Sequence, residues 1–240
     1  MKIGIITDVH SNIIALNAVL GEFDKLKIDK IICCGDIIGI GPNPEETVQK
    51  LMKNKGKLIA VRGNHEQYLL KGLPKDVHDD KREMSLGEIK NHEWTHNKLS
   101  ENSKNFISQF KISSIIEIEG KKIYIVHYPC HENGIYKKHI KKPTIKQNEE
   151  MFSEIDADIY IYGHTTSINN KNNKWYINLG SLGCPVKTNI ANAGILEINK
   201  NEIHYKQLKI EYNVNEVIKE IERLKFPFYE EILKIFYGKE

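Results

Sequence analysis

Seven residues with metal-ligating side chains stand at the ends of short apolar runs in this 240-residue chain. Asp8 and His10 follow Ile3–Thr7, Asp36 follows Ile31–Cys34, and Asn64 and His65 follow Leu58–Val61. Asp8, Asp36 and Asn64 are separated by equal steps of 28 residues, so each falls one unit further along a repeating pattern. His127, after Ile123–Val126, and His164, after Ile159–Tyr162, extend the row. Taken singly, Asp8, Ser11 or Asn12 could cap a helix, Asp36 could open a turn, and one histidine at a strand end is often a satisfied core residue. Taken together they are more buried polar groups than a core can partner, and a metal centre satisfies them at once. Carboxylate, imidazole and amide oxygen suit Mn²⁺ first, with Fe, Zn²⁺ or Ni²⁺ as the other candidates, and no cysteine on these turns biases the choice. Asp36, central in the row, is the natural bridging carboxylate. Two metals about 3.5–4 Å apart, sharing a carboxylate and a hydroxide, are suited to in-line attack on phosphorus. The chemistry implied is phosphoester hydrolysis.

The elements that must position these residues can be read from the apolar pattern. Ile3–Thr7 is a buried strand, and Ile13, Leu16, Leu20 and Phe23 recur at helical spacing after a polar turn. The same grammar repeats through Ile31–Cys34 into Glu45–Lys53, and through Leu58–Val61 into Arg62–Glu66. Three β-α units in succession predict a largely parallel sheet with ligands at its carboxyl edge. A polar stretch at about 74–113 reads as a helical insertion. Ser114–Glu119 and Lys122–His127 form a hairpin, Ile159–Tyr162 is a further strand, and Trp175–Leu179, Gly194–Ile198 and Glu202–Glu211 are expected as a terminal meander. Closing helices are expected over about 214–238, interrupted at Pro227.

The composition fits one globular domain over residues 1–240. With 40% apolar and 28% charged residues, a collagenous, coiled-coil or wholly disordered chain is excluded. A net charge of +3 gives no strong nucleic-acid signal. Cys33, Cys34, Cys130 and Cys184 form no C-x-x-C pair and are expected as reduced thiols, with Cys33 and Cys34 in the core. No apolar run reaches the ~18 residues of a membrane span, and a cytoplasmic protein without membrane contact is expected.

Asp8-Val9-His10, Gly35-Asp36, Gly63-Asn64-His65-Glu66, His127 and Gly163-His164-Thr165, in this order, resemble the calcineurin-like metallophosphoesterases. Asp36–Pro44 and Asn178–Gly183 are similar to the prokaryotic branch of small phosphodiesterases and diadenosine tetraphosphate hydrolases. The resemblance implies an α/β fold, a four-layer α/β/β/α sandwich of two mixed sheets. It assigns Asp8, His10 and Asp36 to one metal and Asp36, Asn64, His127 and His164 to the other. It leaves His65 uncoordinated, to protonate the leaving group after attack by a metal-bridging hydroxide. Arg62 and Asn12 are candidate phosphate contacts, Arg62 because guanidinium offers a planar fork to phosphate oxygens. The implied substrate is a small-molecule or nucleotide phosphate ester, with a phosphodiester or dinucleoside polyphosphate favoured. Thr166 stands where many relatives carry a second histidine for the first metal. Gly39 and Ile40 stand where the protein-phosphatase branch carries Asp and Arg, which argues against a phosphoprotein substrate.

Two other readings compete. Some members of this family keep the fold as non-catalytic scaffolds, but these tend to lose a ligand or the acid histidine, and His65 is kept here. His92-Glu93-Trp94-Thr95-His96 fits the H-E-x-x-H zinc-protease pattern. Its polar neighbours Lys90, Asn91, Asn97 and Lys98 make it a chance match on a solvated helix face. His131 and His139, after the His127 turn, are within possible reach of a substrate, and His78 and His204 read as surface residues.

Overall fold

The computed structural model describes residues 1–74, 83–131, 136–164, 166–171, 173–184, 186–200 and 202–239. Residues 75–82 of the expected insertion, His78 among them, and Thr165 lie outside the described residues.

The first half alternates strand and helix: β1 (Lys2–Ile6), α1 (Ile13–Lys25), β2 (Lys30–Cys33), α2 (Pro44–Lys53), β3 (Leu58–Ala60) and α3 (Asn64–Lys71). These strands run parallel, Ile3 opposite Lys30 and Ile31 opposite Leu58. Next come α4 (Leu86–Lys98) and α5 (Glu101–Ser108), then the antiparallel hairpin of β4 (Ser113–Ile118) and β5 (Lys121–Val126). α6 (Ile145–Met151), β6 (Ile159–Ile161), β7 (Thr166–Lys171), β8 (Lys174–Leu179), β9 (Ile190–Ile198) and β10 (Ile203–Glu211) follow. The chain closes with α7 (Val214–Leu224) and α8 (Tyr229–Ile232), which runs on into a π-helix, Leu233–Tyr237. No helix among the described residues is long and apolar enough to cross a membrane.

Two five-stranded mixed sheets result, ordered β10-β9-β1-β2-β3 and β4-β5-β6-β8-β7. Side chains alternate across each strand, so one face of each sheet meets the other sheet. Ile3, Ile5 and Ile32 of the first sheet pack there against Ile123, Ile125, Ile159, Ile161 and Ile177 of the second. The opposite face of the first sheet carries Ile6 and Cys33 against Leu16, Val19 and Phe23 of α1 and Val217 and Ile221 of α7. On the second sheet, Tyr160 and Tyr176 stack and pack with Phe152 beside α6. Each fully buried isoleucine contributes roughly 1.5–3 kcal/mol relative to exposure, so the slab between the sheets is the main adhesive of the sandwich.

The expected terminal meander does not form. β8 lies parallel to β6, with Ile159 opposite Trp175, and belongs to the second sheet, whereas β9 and β10 complete the first. β9 reaches back to Ile190 and bridges β1 and β10, with Ile3 opposite Leu196. β7 is an edge strand with the sequence Thr-Ser-Ile-Asn-Asn-Lys, too polar to show an apolar alternation. Cys33 and Cys34 are buried free thiols, as expected of core residues.

Candidate metal centre

The turns that leave β1, β2, β3, β5 and β6 meet at one edge of the sandwich. Asp8, His10, Asp36 and His164 all have positive φ, at 53°, 46°, 52° and 77°. Side chains other than glycine's seldom adopt this left-handed region, and such strain collects at functional sites. The first turn is tied to the second by three backbone bonds: Asp8 N–H to Gly35 O at 3.0 Å, His10 N–H to Asp36 O at 2.9 Å and Ser11 N–H to Ile37 O at 2.8 Å.

Asp36 lies at the middle of the group. Ligand atoms of Asp8, Asp36, His127 and His164 all lie within 4.8 Å of one another, and so do those of His10, Asp36 and His65. Asp36 Oδ2 is 3.3 Å from His127 Nε2 and 3.9 Å from both His10 Nε2 and His65 Nε2. Asp8 links the clusters, its Oδ1 being 3.6 Å from His10 Nε2. Its other oxygen accepts from Thr7 Oγ1 at 2.7 Å and from the His164 N–H at 3.1 Å. Asn178 Nδ2 donates to Gly163 O and holds the His164 turn. His127 is oriented from behind, with Nδ1 2.8 Å from Cys34 O, so Nε2 faces the cluster.

The residues fit a metal. Asn64 Oδ1 is buried and has no hydrogen-bond partner among the described residues, a costly arrangement that a cation would relieve. Burial alone would raise the Asp36 carboxyl, but the rings of His127, His65 and His10 hold it well below the usual carboxylate range. Asp8 is likewise held low despite its burial, by His10 and His127. Burial would pull His127 down, yet Asp36 and Asp8 push it up to about 10, so without a metal this ring carries a proton. His164 is lowered to about 4, by burial and then by the neighbouring charge of His127.

His65 has a different setting. Burial, reinforced by repulsion from His92, His10 and His127, holds its pKa well below the ordinary histidine value against the pull of Asp36. Its ring meets those of His10 and His92 at centroid distances of 4.9 Å, and the backbone N–H of His65 donates to Asp36 Oδ1 at 3.0 Å. Gly39, at φ 85°, passes directly over the ring, where a Cβ would lie 2.0 Å from His65 Nδ1.

The two candidate phosphate contacts differ. Asn12 caps α1, its Oδ1 accepting from Ala15 N–H at 3.0 Å and its Nδ2 donating to Gly183 O at 2.8 Å. Its side chain therefore joins α1 to the Gly183 loop and serves the fold. Arg62 follows β3 with its N–H on Lys111 O at 2.9 Å, and its Nε is buried without a hydrogen-bond partner among the described residues.

Sequence reasoning overlooked two residues. Glu66, fully buried, accepts from four backbone N–H groups: Gly63 and Asp36 on Oε2 at 2.7 and 2.9 Å, Ile37 and Ile38 on Oε1 at 2.8 and 3.2 Å. It thereby fixes the Asp36 loop to the start of α3, and the signal was its position three residues after Gly63, that of a capping box. The second is His92. The H-E-x-x-H segment lies on α4, but the histidine is buried against His65 and Tyr68 rather than on a solvated face. Glu93 is exposed, and none of the metal-capable clusters among the described residues includes His92, Glu93 or His96. His139 reaches the site from behind, its ring 4.6 Å from that of His164.

A two-sheet sandwich with Asp and His donors gathered at one edge defines the metallophosphoesterase class. The family model described as the calcineurin-like phosphoesterase superfamily domain matches residues 1–201, and the chain belongs to that superfamily. Its members are generally metal-dependent hydrolases. An uncharacterized protein of Methanocaldococcus jannaschii is 26% identical over 248 residues, covering 94% of this chain and 93% of its own. A phosphodiesterase of the same archaeon is 25% identical over 215 residues, covering 88% of this chain and 100% of its own. The crystal structure of a metallophosphoesterase from Sphaerobacter thermophilus shares the fold, with a TM-score of 0.75 at 23% identity over 100% of this chain and 99% of that one.

Proposed function

We propose that the chain is a hydrolase of phosphodiesters or dinucleoside polyphosphates that uses two divalent metals, Mn²⁺ first among them. The observation that carries this reading is that Asp36 belongs to both clusters of ligand atoms, one of which groups it with Asp8, His127 and His164 and the other with His10 and His65. The phosphodiesterase relative supports the choice of bond. Asp8, His10 and Asp36 would hold one metal, and Asp36, Asn64, His127 and His164 the other. When bound, such ions polarise phosphoryl oxygens and bring a water to ionise near neutral pH.

The chain's own residues then orient and protonate. Asp36, pinned through Glu66, fixes the spacing of the two donor sets. His65 is neutral in the free protein, and the negative charge of an incoming phosphate raises its pKa, so it can carry a proton to the leaving oxygen. Arg62 is the candidate cation for a phosphate oxygen, whereas Asn12 is left to its structural role.

The test is hydrolysis by the purified chain of an aryl phosphomonoester, an aryl phosphodiester and diadenosine tetraphosphate, with and without Mn²⁺, and with Asp36→Asn as control. Mn²⁺-dependent turnover lost in the variant is the expected result. Silence on all three substrates by protein shown by elemental analysis to hold metal would refute it in favour of a binding scaffold.

A further inference from the structure

A cleft of about 570 Å³ opens beside the metal centre, and His65, Asn64 and His164 belong to its wall. Its other side is built by α3 and α4 on one flank, α8 and the π-helix on the other. The lining there is mainly apolar, with Ile40, Tyr68, Phe228, Ile232, Ile235 and Phe236. The two flanks are joined, since Asn91 Nδ2 donates to Pro227 O at 3.1 Å and a Cβ at Gly87 would come within 2.5 Å of the Phe228 ring.

Three observations mark this cleft as built for a ligand. Ile40 and Phe228 hold positive φ, at 63° and 72°, a conformation that a β-branched or bulky residue rarely adopts. Ile235, 49% exposed, and Phe236 are presented by a π-helix, a rare form that is frequent at functional sites. His92 is 7% exposed, lines the cleft, and has a buried Nδ1 with no hydrogen-bond partner among the described residues. The volume suits a small organic group, and a lining that includes the rings of Tyr68, His92, Phe228 and Phe236 suits an aromatic one.

We infer that the cleft binds a planar aromatic ring carried by one ester group of the substrate, an aryl group or a nucleobase, and that Ile235 and Phe236 determine this preference. The inference deepens the phosphoesterase reading and rests on it for the position of the phosphate. With the phosphate at the donors, the cleft receives the ester oxygen on the His65 side, where the leaving group departs.

The cleft contains three isoleucines, so methyl NMR of the isoleucine-labelled, Zn²⁺-loaded chain reports occupancy directly. Two probe pairs are titrated: phenylphosphonate against methylphosphonate, and, with phosphorus NMR confirming that both esters stay intact, adenosine 5′-monophosphate against ribose 5-phosphate. The ring-bearing member of at least one pair is expected to bind about tenfold tighter or better, with shifts at Ile40, Ile232 and Ile235. The pair with the larger ratio tells an aryl group from a base. Ile235→Asp, at an exposed position that tolerates a charge, should reduce that ratio below about threefold. Equal affinities within both pairs, or shifts confined to other isoleucines, would overturn the inference even if the enzyme turned over phosphodiesters. If neither phosphonate bound, phenol or adenosine alone should still shift the three methyl signals. That result would leave the cleft standing and count against the phosphoesterase reading, while no shift with any probe would overturn the cleft as well.

Discussion

Replacing Glu66 by Gln changes one atom and tests how the Asp36 loop is held. Each carboxylate oxygen accepts from two backbone N–H groups, Gly63 and Asp36 on one, Ile37 and Ile38 on the other. An amide keeps one of these oxygens and turns an NH₂ group toward the remaining pair, so two buried donors lose their acceptor. Each such loss costs about 1–3 kcal/mol, or about 2–6 kcal/mol for the pair. The substitution also removes a buried charge whose pKa is raised, by burial and then by Asp36, so part of the cost is returned. A net destabilisation of about 2–4 kcal/mol is expected, equivalent to roughly 4–16 °C in Tm for a chain of this length. Urea unfolding followed by circular dichroism, with a chelator present to remove any metal contribution, measures it directly. Glu93→Gln on the exposed face of α4 is the control and should move stability by no more than about 0.5 kcal/mol. A loss below about 1 kcal/mol for Glu66→Gln would show that the four bonds do not hold the loop.

His65→Ala should slow hydrolysis of a substrate with a poor leaving group by about 10²–10⁴-fold while metal content by elemental analysis stays constant; full rate would remove the acid role. Gly39→Ala forces a Cβ to within 2.0 Å of His65 Nδ1 at φ 85°, so it should displace the ring and lower turnover with His65 still present. A fully active Gly39→Ala protein would mean that ring position is not limiting. In the metal-free protein His127 holds its proton up to about 10, against 6.5 in the unfolded chain. The stability it contributes is complete below pH 6.5 and lost as pH rises toward 10, which chelator-treated unfolding at stepped pH checks. Because a metal must displace that proton, apparent affinity by calorimetry should rise with pH over the same window, by up to about tenfold per unit, and a flat profile would exclude His127 as a ligand.

The donor residues were legible because parallel β-α units place successive polar turns on one edge, and the equal spacing of Asp8, Asp36 and Asn64 repeats that geometry in the sequence. α1, α2 and α7 were legible from their apolar spacing and flanking turns. β7 was not, since its polar residues at a sheet edge leave no period, nor was the division of β8, β9 and β10 between two sheets, which is settled by packing across the slab. His92 was misplaced for a related reason. Its partners His65 and Tyr68 lie on another helix, a contact that no local sequence pattern records. Asn12 shows the reverse case, a residue beside the ligands whose amide is committed to a cap and a loop carbonyl.

Asp8 and Asp36 project from the first sheet, His127 and His164 from the second, and isoleucines fill the space between. The interior thus acts as the spacer in a calliper whose jaws are two rows of strand ends. Removing a methyl group from an isoleucine of this slab, such as Ile3 or Ile123, is expected to change the gap while every ligand side chain is kept. If the site holds the metals proposed, their preference is then open to retuning from within, with every donor left in place.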